Sequence, residues 1–349
     1  MRLTTESDYG EHIAMKVCIN GMGRIGRALF RLLCQEQDIV CAYVNETYAS
    51  VEDIIYFLKY DSLYGKFSGE LELEGGNSIK VSLPDRNFVV KVFNHNNPKD
   101  LCAAVQDVDF IIDASGDTGW VKGYKEGRLR VLYTCCLDEK DCEYVCGVND
   151  DFIGKDEQFV LSGSICDAVA IAPVLNAVYS CASVENVLIT TMHPALSYQK
   201  VIDNYPQTGI NRSLGRQYID SIIPKTTSVE NVLIRLFGTE QIKCMSFRIP
   251  TESVCAADIT VCVNGDLDME LLKNALNEVE GVSFVDDDLV SIDFKGDLSS
   301  AVVDLRWLEV VQGKVLKMLI WYDNEFGYSY HIIRLLRKWS DRVRIKERI

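Results

Sequence analysis

The sequence predicts an α/β fold on a parallel sheet, because short apolar runs alternate with segments of helical periodicity. Three runs in the first third of the chain have the length of buried strands, at residues 16–20, 39–44 and 108–113. The first run leads into glycines and then into a helical apolar face: Ala28, Leu29, Leu32 and Leu33. Because this alternation is typical of parallel strands joined by crossover helices, we expect a doubly wound sheet here.

The apolar runs further along predict one more strand in this region and then a second sheet. Residues 130–134 supply that strand, and residues 146–149 close the region. A helix is predicted from residue 166 to about 178, and a terminal helix over residues 325–339. The strands suited to the second sheet are 186–192, 243–248, 257–263, 289–294 and 315–321.

A long stretch between two of these strands, residues 197–226, is predicted to be a functional loop because passive connectors are rarely so long.

The chain of 349 residues is long enough for two domains. Its 51 acidic and 36 basic residues give a net charge of -15, which argues against nucleic-acid and acidic-membrane partners. The absence of a run of roughly 18 apolar residues predicts no membrane span. A small-molecule enzyme fits this composition.

Thirteen cysteines occur at irregular spacings, and this odd number predicts free thiols in a reducing, cytoplasmic compartment. No pair has the C-x-x-C spacing, and Cys142 and Cys146 have no partner pair or nearby histidine, so no metal site is expected.

Residues 1–14 have no apolar run and are predicted to be a short tail, neither a secretory signal nor an anchor.

A dinucleotide site is predicted by the G-x-G-x-x-G pattern of Gly21, Gly23 and Gly26. The pattern alone is weak, but here it follows a strand and opens a helix, and Glu46 ends the next strand 20 residues after Gly26. The glycines would admit a pyrophosphate at the helix N-terminus, and the carboxylate would bind ribose hydroxyls. The alternative is a tight turn with an exposed glutamate. Residues 47–49 include no arginine for a 2′-phosphate, which favours NAD over NADP.

Cys166 is a candidate nucleophile because it follows the small, turn-forming residues 162–164 and begins an apolar helix. Helix N-termini stabilise the reactive thiolate. The alternative is that Cys166, like most cysteines here, is a small core residue.

His193 is the candidate base, reached by elimination among four histidines. His12 lies in the tail, His95 in a polar turn, and His331 beside the apolar stripe of the terminal helix. His193 ends a strand just before Pro194, from which it can project from a sheet edge into a cleft. The alternative is a surface or satisfied core histidine.

These features resemble the glyceraldehyde-3-phosphate dehydrogenase family from residue 15 to about 337. The motifs that carry the resemblance are INGMGRIGR at 19–27, YDSLYGKF at 60–67, CGVN at 146–149, FRIPT at 247–251 and WYDNEFGYS at 321–329. The resemblance implies a Rossmann NAD-binding domain over 15–165, a catalytic α+β domain on a mixed sheet over 166–324, and a helix over 325–349 packing back on the NAD-binding domain. It also implies a homotetramer in which residues 197–226 lie near a neighbouring subunit's cofactor.

The resemblance further implies NAD-dependent oxidation of an aldehyde through a thiohemiacetal and a thioester. Cys166 would be the nucleophile, His193 the base, and Asn324 the residue that holds the nicotinamide carboxamide. Other residues implied to bind the cofactor are Asn20, Gly21, Gly23, Arg24, Ile25, Gly26, Glu46, Ser115, Gly116 and Thr134. The residues implied to bind an anionic substrate group are Thr227 and Arg248.

The chain departs from the family pattern around the nucleophile, where S-C-T-T-N-C is replaced by I-C-D-A-V-A. Ile165 and Asp167 replace a serine and a threonine whose hydroxyls, in the family, help to bind the attacking inorganic phosphate. Like charges about 4 Å apart repel by roughly 4 kcal/mol at a dielectric of about 20, so phosphate is expected to be a poor acceptor. Leu196 and Tyr198 similarly replace the two threonines of H-x-x-T-x-T. Asp167 either faces the thiol and opposes its ionisation, or faces solvent as a favourable first-turn acid.

Three hypotheses follow from this pattern. The first is an NAD-dependent aldehyde dehydrogenase with an altered aldehyde or acyl acceptor, and the second is a non-catalytic NAD-binding or regulatory paralogue. The third is the family's phosphorylating activity, retained despite the substitutions. The aldehyde, the acyl acceptor and the physiological direction stay open.

Overall fold

The structure is a computed structural model that describes residues 14–137, 143–154, 158–206 and 211–347. Along these residues the strands are β1 (Met15–Asn20), β2 (Ile39–Asn45), β3 (Tyr60–Asp61), β4 (Gly65–Lys66), β5 (Glu70–Glu74), β6 (Ser78–Ser82), β7 (Asn87–Phe93), β8 (Phe110–Asp113), β9 (Val131–Tyr133), β10 (Val160–Ser162), β11 (Ser183–His193), β12 (Ile223–Lys225), β13 (Ile242–Arg248), β14 (Cys255–Asn264), β15 (Val282–Val285), β16 (Ala301–Val311) and β17 (Val315–Tyr322). The α-helices are α1 (Arg24–Leu33), α2 (Val51–Lys59), α3 (Pro98–Ala104), α4 (Val121–Gly127), α5 (Cys166–Cys181), α6 (Val229–Phe237), α7 (Met269–Asn277) and α8 (Phe326–Glu347). Short 3₁₀ helices lie at Thr118–Trp120, Asp150–Phe152, Arg212–Gly215 and Ser291–Phe294.

Unit 1 of the fold consists, within the described residues, of residues 14–60 and 67–131. Its strands follow the order β8-β1-β2-β7-β6-β5. Strands β8, β1, β2 and β7 pair in parallel, and β5, β6 and β7 pair antiparallel. Strand β1 has a partner on each side, and five of its six residues are buried, as expected for a central strand covered on both faces. The predicted parallel α/β sheet is confirmed here.

Unit 2 consists of residues 61–66 and the described residues from 132 onward. Its seven-stranded sheet follows the order β12-β13-β11-β14-β17-β16-β15. The sheet is mixed, because β11 pairs in parallel with β13 and antiparallel with β14. Helix α5 is the centre of the core: residues 167–175 are all buried, and the helix packs against α6, α7 and β11. The predicted α+β domain on a mixed sheet is confirmed.

Two elements of unit 2 differ from the sequence prediction. A strand was predicted over 289–294, but Ser291–Phe294 is a 3₁₀ helix. The cause is local, since the Asp293 carboxylate accepts the Val290 N–H and closes a turn. Strand β16 was not predicted because Asp304 and Arg306 interrupt its apolar pattern.

Some predicted features cannot be compared with the fold. Residues 1–13 of the predicted tail, Cys142, and residues 207–210 of the long loop lie outside the described residues. Residues 132–165 and α8 belong to unit 2, and the domain boundaries drawn at 165 and 324 stay predictions. Across the part of the chain that is described, no helix has both the length and the apolar character needed to cross a bilayer.

Candidate active site

The glycine turn after β1 is a close approach of backbone to backbone. Gly21 has φ +94°, and a Cβ on it would lie 2.8 Å from Ser115 Cα. A Cβ on Gly26 would lie 2.0 Å from the Gly21 carbonyl oxygen, so no larger residue fits at position 26. Gly23 differs, because a Cβ there would meet no described atom within 4 Å. The turn therefore presents open space at Gly23, next to the N-terminus of α1.

Glu46 and Asn20 lie beside this turn at the carboxyl ends of the parallel strands. The Glu46 carboxylate follows β2 and accepts the N–H groups of Met22 at 2.8 Å and Tyr48 at 2.9 Å. Asn20 is buried, donates to Asp113 Oδ2 at 2.8 Å, and accepts from Asn45. Asn20 thus ties neighbouring strand ends together and shapes the turn.

Cys166 is the first residue of α5, as predicted, and its sulfur meets two side chains. The distance from Cys166 Sγ to His193 Nε2 is 3.7 Å, and the distance from Sγ to Asp167 Oδ1 is also 3.7 Å. Ile165 caps α5 without a side-chain hydrogen bond within the described residues. The thiol proton therefore has an imidazole nitrogen and a carboxylate oxygen as its two acceptors.

His193 lies at the end of β11, but not at an edge of the sheet. Strand β11 is an interior strand between β13 and β14, so the predicted sheet-edge position was wrong, and the imidazole is 3% exposed. Its Nδ1 lies 2.8 Å from the carbonyl oxygen of Pro194. A carbonyl only accepts, so Nδ1 carries the proton and Nε2 presents a lone pair to the sulfur.

Asp167 faces the thiol, which decides between its two predicted orientations. Its side chain is 5% exposed, and its Oδ1 accepts the Tyr322 hydroxyl at 2.8 Å. Tyr322 is itself buried at the end of β17. The carboxylate is therefore held inside the site and not in solvent.

The electrostatics of the site oppose a resting thiolate. Burial, and then the charge of Asp167, raise the pKa of the Cys166 thiol well above its usual value, while the Arg248 guanidinium lowers it. A helix N-terminus contributes about 0.3 to 1 kcal/mol, less than the roughly 4 kcal/mol of a like charge near 4 Å. Burial also lowers the pKa of His193 to about 4. Burial and the Asp167 carboxylate thus both disfavour the thiolate that the helix end was predicted to stabilise.

Arg248 is a buried cation at the same end of the sheet as His193. It pairs with His193 in the parallel register of β11 and β13, so both residues end neighbouring strands. Its Nη2 donates to the Tyr198 hydroxyl at 3.4 Å, and its Nε is buried without a partner among the described residues. A guanidinium with an unused buried donor suits an anionic group.

Comparison with known proteins gives two matches that cover most of the chain. Residues 15–119 match the NAD binding domain of glyceraldehyde 3-phosphate dehydrogenase, and residues 165–324 match its C-terminal domain. The chain is 30% identical over 344 residues to glyceraldehyde-3-phosphate dehydrogenase 2 of Bacillus subtilis, covering 95% of this chain and 98% of that protein. It is 29% identical to glyceraldehyde-3-phosphate dehydrogenase of Geobacillus stearothermophilus, covering 93% and 97%.

This chain belongs to the glyceraldehyde-3-phosphate dehydrogenase family. The predicted resemblance is confirmed, and NAD is the cofactor of this NAD-dependent oxidoreductase family.

The residues of this glyceraldehyde-3-phosphate dehydrogenase family member fit NAD in two places. In unit 1, the open space at Gly23 adjoins a helix end whose cap has no side-chain hydrogen bond in the described chain, which suits a pyrophosphate. In unit 2, Asn324 follows β17, and its buried Oδ1 has no partner among the described residues. An unpaired amide oxygen of this kind can accept an N–H from a carboxamide.

The other predicted site residues stay predictions, although each has a defined position. Arg24 and Ile25 are the first two residues of α1, and Ser115 and Gly116 follow β8. Thr134 follows β9. The Thr227 Oγ1 accepts the Val229 N–H at 3.2 Å at the start of α6, a contact within its own turn.

The sequence did not indicate the residues that hold the nucleophile turn, residues 162–165 directly before Cys166. Ser164 is fully buried with φ +63°, and its Oγ donates to Glu143 Oε1 at 2.8 Å. Its carbonyl accepts the Tyr328 hydroxyl at 2.9 Å. Tyr322 was likewise not expected to contact Asp167. These partners are 21 to 164 residues apart in sequence, so no local spacing could have indicated them.

Proposed function

We propose that this protein oxidises an aldehyde with NAD, with Cys166 as nucleophile and His193 as base. The observation that carries the proposal is the 3.7 Å approach of His193 Nε2 to Cys166 Sγ, with the proton of the imidazole on Nδ1. A neutral imidazole of this tautomer is ready to accept a proton from the thiol without prior ionisation of either group.

The proposed reaction begins with proton transfer from Cys166 Sγ to His193 Nε2. The sulfur forms a bond to the aldehyde carbon as the C=O π bond breaks, and the oxygen takes the proton back from His193, which yields a neutral thiohemiacetal. His193 then accepts that hydroxyl proton while the carbon loses hydride and becomes a thioester on Cys166. NAD, when bound, supplies the hydride acceptor. An acyl acceptor finally displaces the thiolate and releases its own proton to solvent, and the thiolate takes back the proton held by His193.

The proposed substrate carries one anionic group. Arg248 supports this assignment because its Nε is buried without a partner in the described residues. Leu196 and Tyr198 leave fewer hydroxyls for a second anion. Near the sulfur, the buried Asp167 carboxylate repels inorganic phosphate, so we propose a less charged acyl acceptor.

The test combines a panel of small aldehydes, with and without a carboxylate or phosphate group, with NAD and varied inorganic phosphate. Formation of reduced cofactor is followed by absorbance. We expect turnover that does not require phosphate, a loss of at least about a hundredfold in Cys166→Ser and His193→Gln, and parent activity in Cys181→Ser at the far end of α5. Turnover unchanged in Cys166→Ser contradicts the proposal, and strict dependence on inorganic phosphate supports the family's phosphorylating reaction.

A second candidate function is a non-catalytic NAD-binding or regulatory subunit. It is favoured by the buried carboxylate of Asp167, which lies 3.7 Å from the sulfur and raises the pKa of the thiol. The two candidates differ in thiol reactivity. If alkylation of Cys166 by iodoacetamide is no faster than that of the other thiols, NAD still binds and no aldehyde is oxidised, this second function holds.

We also propose a cytoplasmic homotetramer, as the family resemblance implies. The long loop supports an interface, because Ile202 is 74% exposed and Tyr205 is 90% exposed. Light scattering of the purified protein is expected to give the mass of four chains. The mass of one chain would contradict the assembly, and localisation of the tagged protein in cells tests the compartment.

A further inference from the structure

We propose that Cys166, Asp167 and His193 form a binding site for a single Zn²⁺ ion, which occupies the sulfur and reversibly blocks it. The donor atoms of these three residues lie within 4.8 Å of one another. The sequence predicted no metal site, because the spacing rules compare neighbours along the chain and His193 is 27 residues from Cys166.

Two of the three donor–donor distances are close to those of tetrahedral zinc. Bonds of about 2.3 Å to sulfur and about 2.0 Å to nitrogen and oxygen place donors roughly 3.3 to 3.6 Å apart in a tetrahedron. The two distances from Cys166 Sγ, to His193 Nε2 and to Asp167 Oδ1, are both 3.7 Å. The donor atoms of His193 and Asp167 lie within 4.8 Å of each other, so closure around an ion needs these two donors to approach each other by up to about 1.5 Å. Three protein ligands leave the fourth position open.

The second layer of contacts orients two of these ligands as metal sites require. His193 Nδ1 donates to the Pro194 carbonyl at 2.8 Å, which leaves the Nε2 lone pair for the ion. Tyr322 donates to Asp167 Oδ1 at 2.8 Å and holds the carboxylate toward the sulfur. Both contacts exist without an ion, so these two ligands are oriented before an ion binds.

Charge and ligand chemistry favour zinc over the common ions Mg²⁺ and Ca²⁺. On binding, the Cys166 S–H bond breaks, a Zn–S bond forms, and the proton leaves to solvent without any change of oxidation state. The thiolate and the Asp167 carboxylate then balance the two charges of the ion. Arg248, whose charge acts on the thiol, is the cation that opposes binding. Thiolate and imidazole donors favour Zn²⁺ over Mg²⁺ and Ca²⁺, which prefer oxygen.

The inference does not depend on the proposed activity, so its test reads binding directly. Chelator-treated full-length protein is titrated with Zn²⁺ against a chromogenic chelator, and protection of Cys166 from iodoacetamide is measured by mass spectrometry of its peptide. We expect one tight equivalent per chain and protection of Cys166 by that equivalent. With Co²⁺ as probe, a thiolate charge-transfer absorption is expected.

Variants distinguish zinc binding at this site from zinc binding by the other cysteines. Cys166→Ser is expected to lose the tight equivalent, and Asp167→Asn and His193→Gln to weaken it by about a hundredfold or more. Tyr322→Phe, which removes only an outer contact, is expected to weaken binding by about tenfold. Cys181→Ser, a cysteine at the other end of α5, is the matched control and is expected to bind as the parent does.

Three results would overturn the proposal: no stoichiometric tight ion in the parent, retention of that ion by Cys166→Ser, or parent affinity and protection in Asp167→Asn. If Cys166→Ser fails to fold, the comparison of the parent with Asp167→Asn still decides. Loss of aldehyde turnover with retained zinc binding would contradict only the proposed function.

Discussion

Tyr322 donates its hydroxyl to Asp167 Oδ1 at 2.8 Å, and both side chains are buried beside the candidate nucleophile. The contact joins the end of β17 to the first turn of α5. It explains how an acidic residue is kept inside unit 2, where an unpaired carboxylate would be costly. Of the two orientations that the sequence leaves open for Asp167, the structure has the one that faces the thiol, within a buried polar pair.

Replacing Tyr322 with Phe is therefore expected to destabilise unit 2. A hydrogen bond to a charged group contributes about 1.5 to 3 kcal/mol, and its loss leaves the carboxylate with fewer donors. The free energy of unfolding is measured by urea denaturation with tryptophan fluorescence as the signal, since Trp307, Trp321 and Trp339 lie in unit 2. The control is Tyr205→Phe, at a residue that is 90% exposed.

A double-mutant cycle with Asp167→Asn isolates this contact from other effects of the two substitutions. We expect a coupling energy of about 1 kcal/mol or more between positions 167 and 322. Strict additivity of the two single substitutions would show that the contact does not stabilise the protein.

The nucleophile turn gives a second prediction, because Ser164 combines φ +63° with a buried hydrogen bond to Glu143. Ser164→Ala loses the hydrogen bond and keeps the unfavourable backbone conformation, so a loss of about 1 to 3 kcal/mol is expected. Ser164→Gly loses the same bond but tolerates positive φ, so it is expected to be about 1 kcal/mol more stable than Ser164→Ala. Denaturation curves of the two variants test the order, and an alanine variant at least as stable as the glycine variant would contradict it.

The glycine turn gives a third prediction, which separates folding from cofactor binding. Gly26→Ala would bring a methyl group to 2.0 Å from the Gly21 carbonyl oxygen, so we expect a destabilised unit 1. Gly23→Ala meets no described atom within 4 Å, so its stability is expected to match that of the parent. The same methyl group would occupy the space where a pyrophosphate approaches, so NAD affinity is expected to fall at least about tenfold.

Both glycine variants are assayed by thermal unfolding and by calorimetric titration with NAD. Parent NAD affinity in Gly23→Ala would mean that the pyrophosphate does not approach this glycine. Parent stability in Gly26→Ala would mean that the turn adjusts to admit a side chain.

His331 gives a fourth prediction, on the pH dependence of stability. It is fully buried in α8, and burial, followed by the charge of Arg334, lowers its pKa to about 3, compared with about 6.5 in an unfolded chain. Between these pH values the unfolded state binds the extra proton. The contribution of His331 to the free energy of unfolding is therefore complete above about pH 6.5 and falls as pH decreases toward 3, by up to about 1.4 kcal/mol per pH unit.

The measurement compares the pH slopes of urea unfolding in the parent and in His331→Gln between pH 4 and 7. The variant is expected to have the shallower slope, whatever its stability at neutral pH. His95→Gln removes an imidazole outside the core and serves as the control. Equal slopes in the parent and in His331→Gln would show that His331 does not contribute to acid unfolding.

Much of the fold could be predicted because its signals are local. Buried strands such as β1 appear as continuous apolar runs, and helix α5 begins where an apolar, alanine-rich segment follows a small-residue turn. The error at 289–294 has the same origin, since an apolar run can close into a turn when a nearby carboxylate such as that of Asp293 accepts a backbone N–H. Strand β16 was missed because Asp304 and Arg306 interrupt its apolar pattern, and the Trp321 N–H that Asp304 accepts comes from another strand of the folded sheet.

The amino-acid sequence by itself determined most element types, the glycine turn, the family membership and the identity of Cys166 and His193 as candidates, because each depends on residue type and short-range spacing. Only the tertiary structure decided that Asp167 faces the sulfur, that Tyr322 holds it there, and that burial outweighs the helix end in setting the pKa of Cys166. These properties depend on contacts between residues distant in sequence and on exclusion of water, and both arise only when the sheet and α5 pack together.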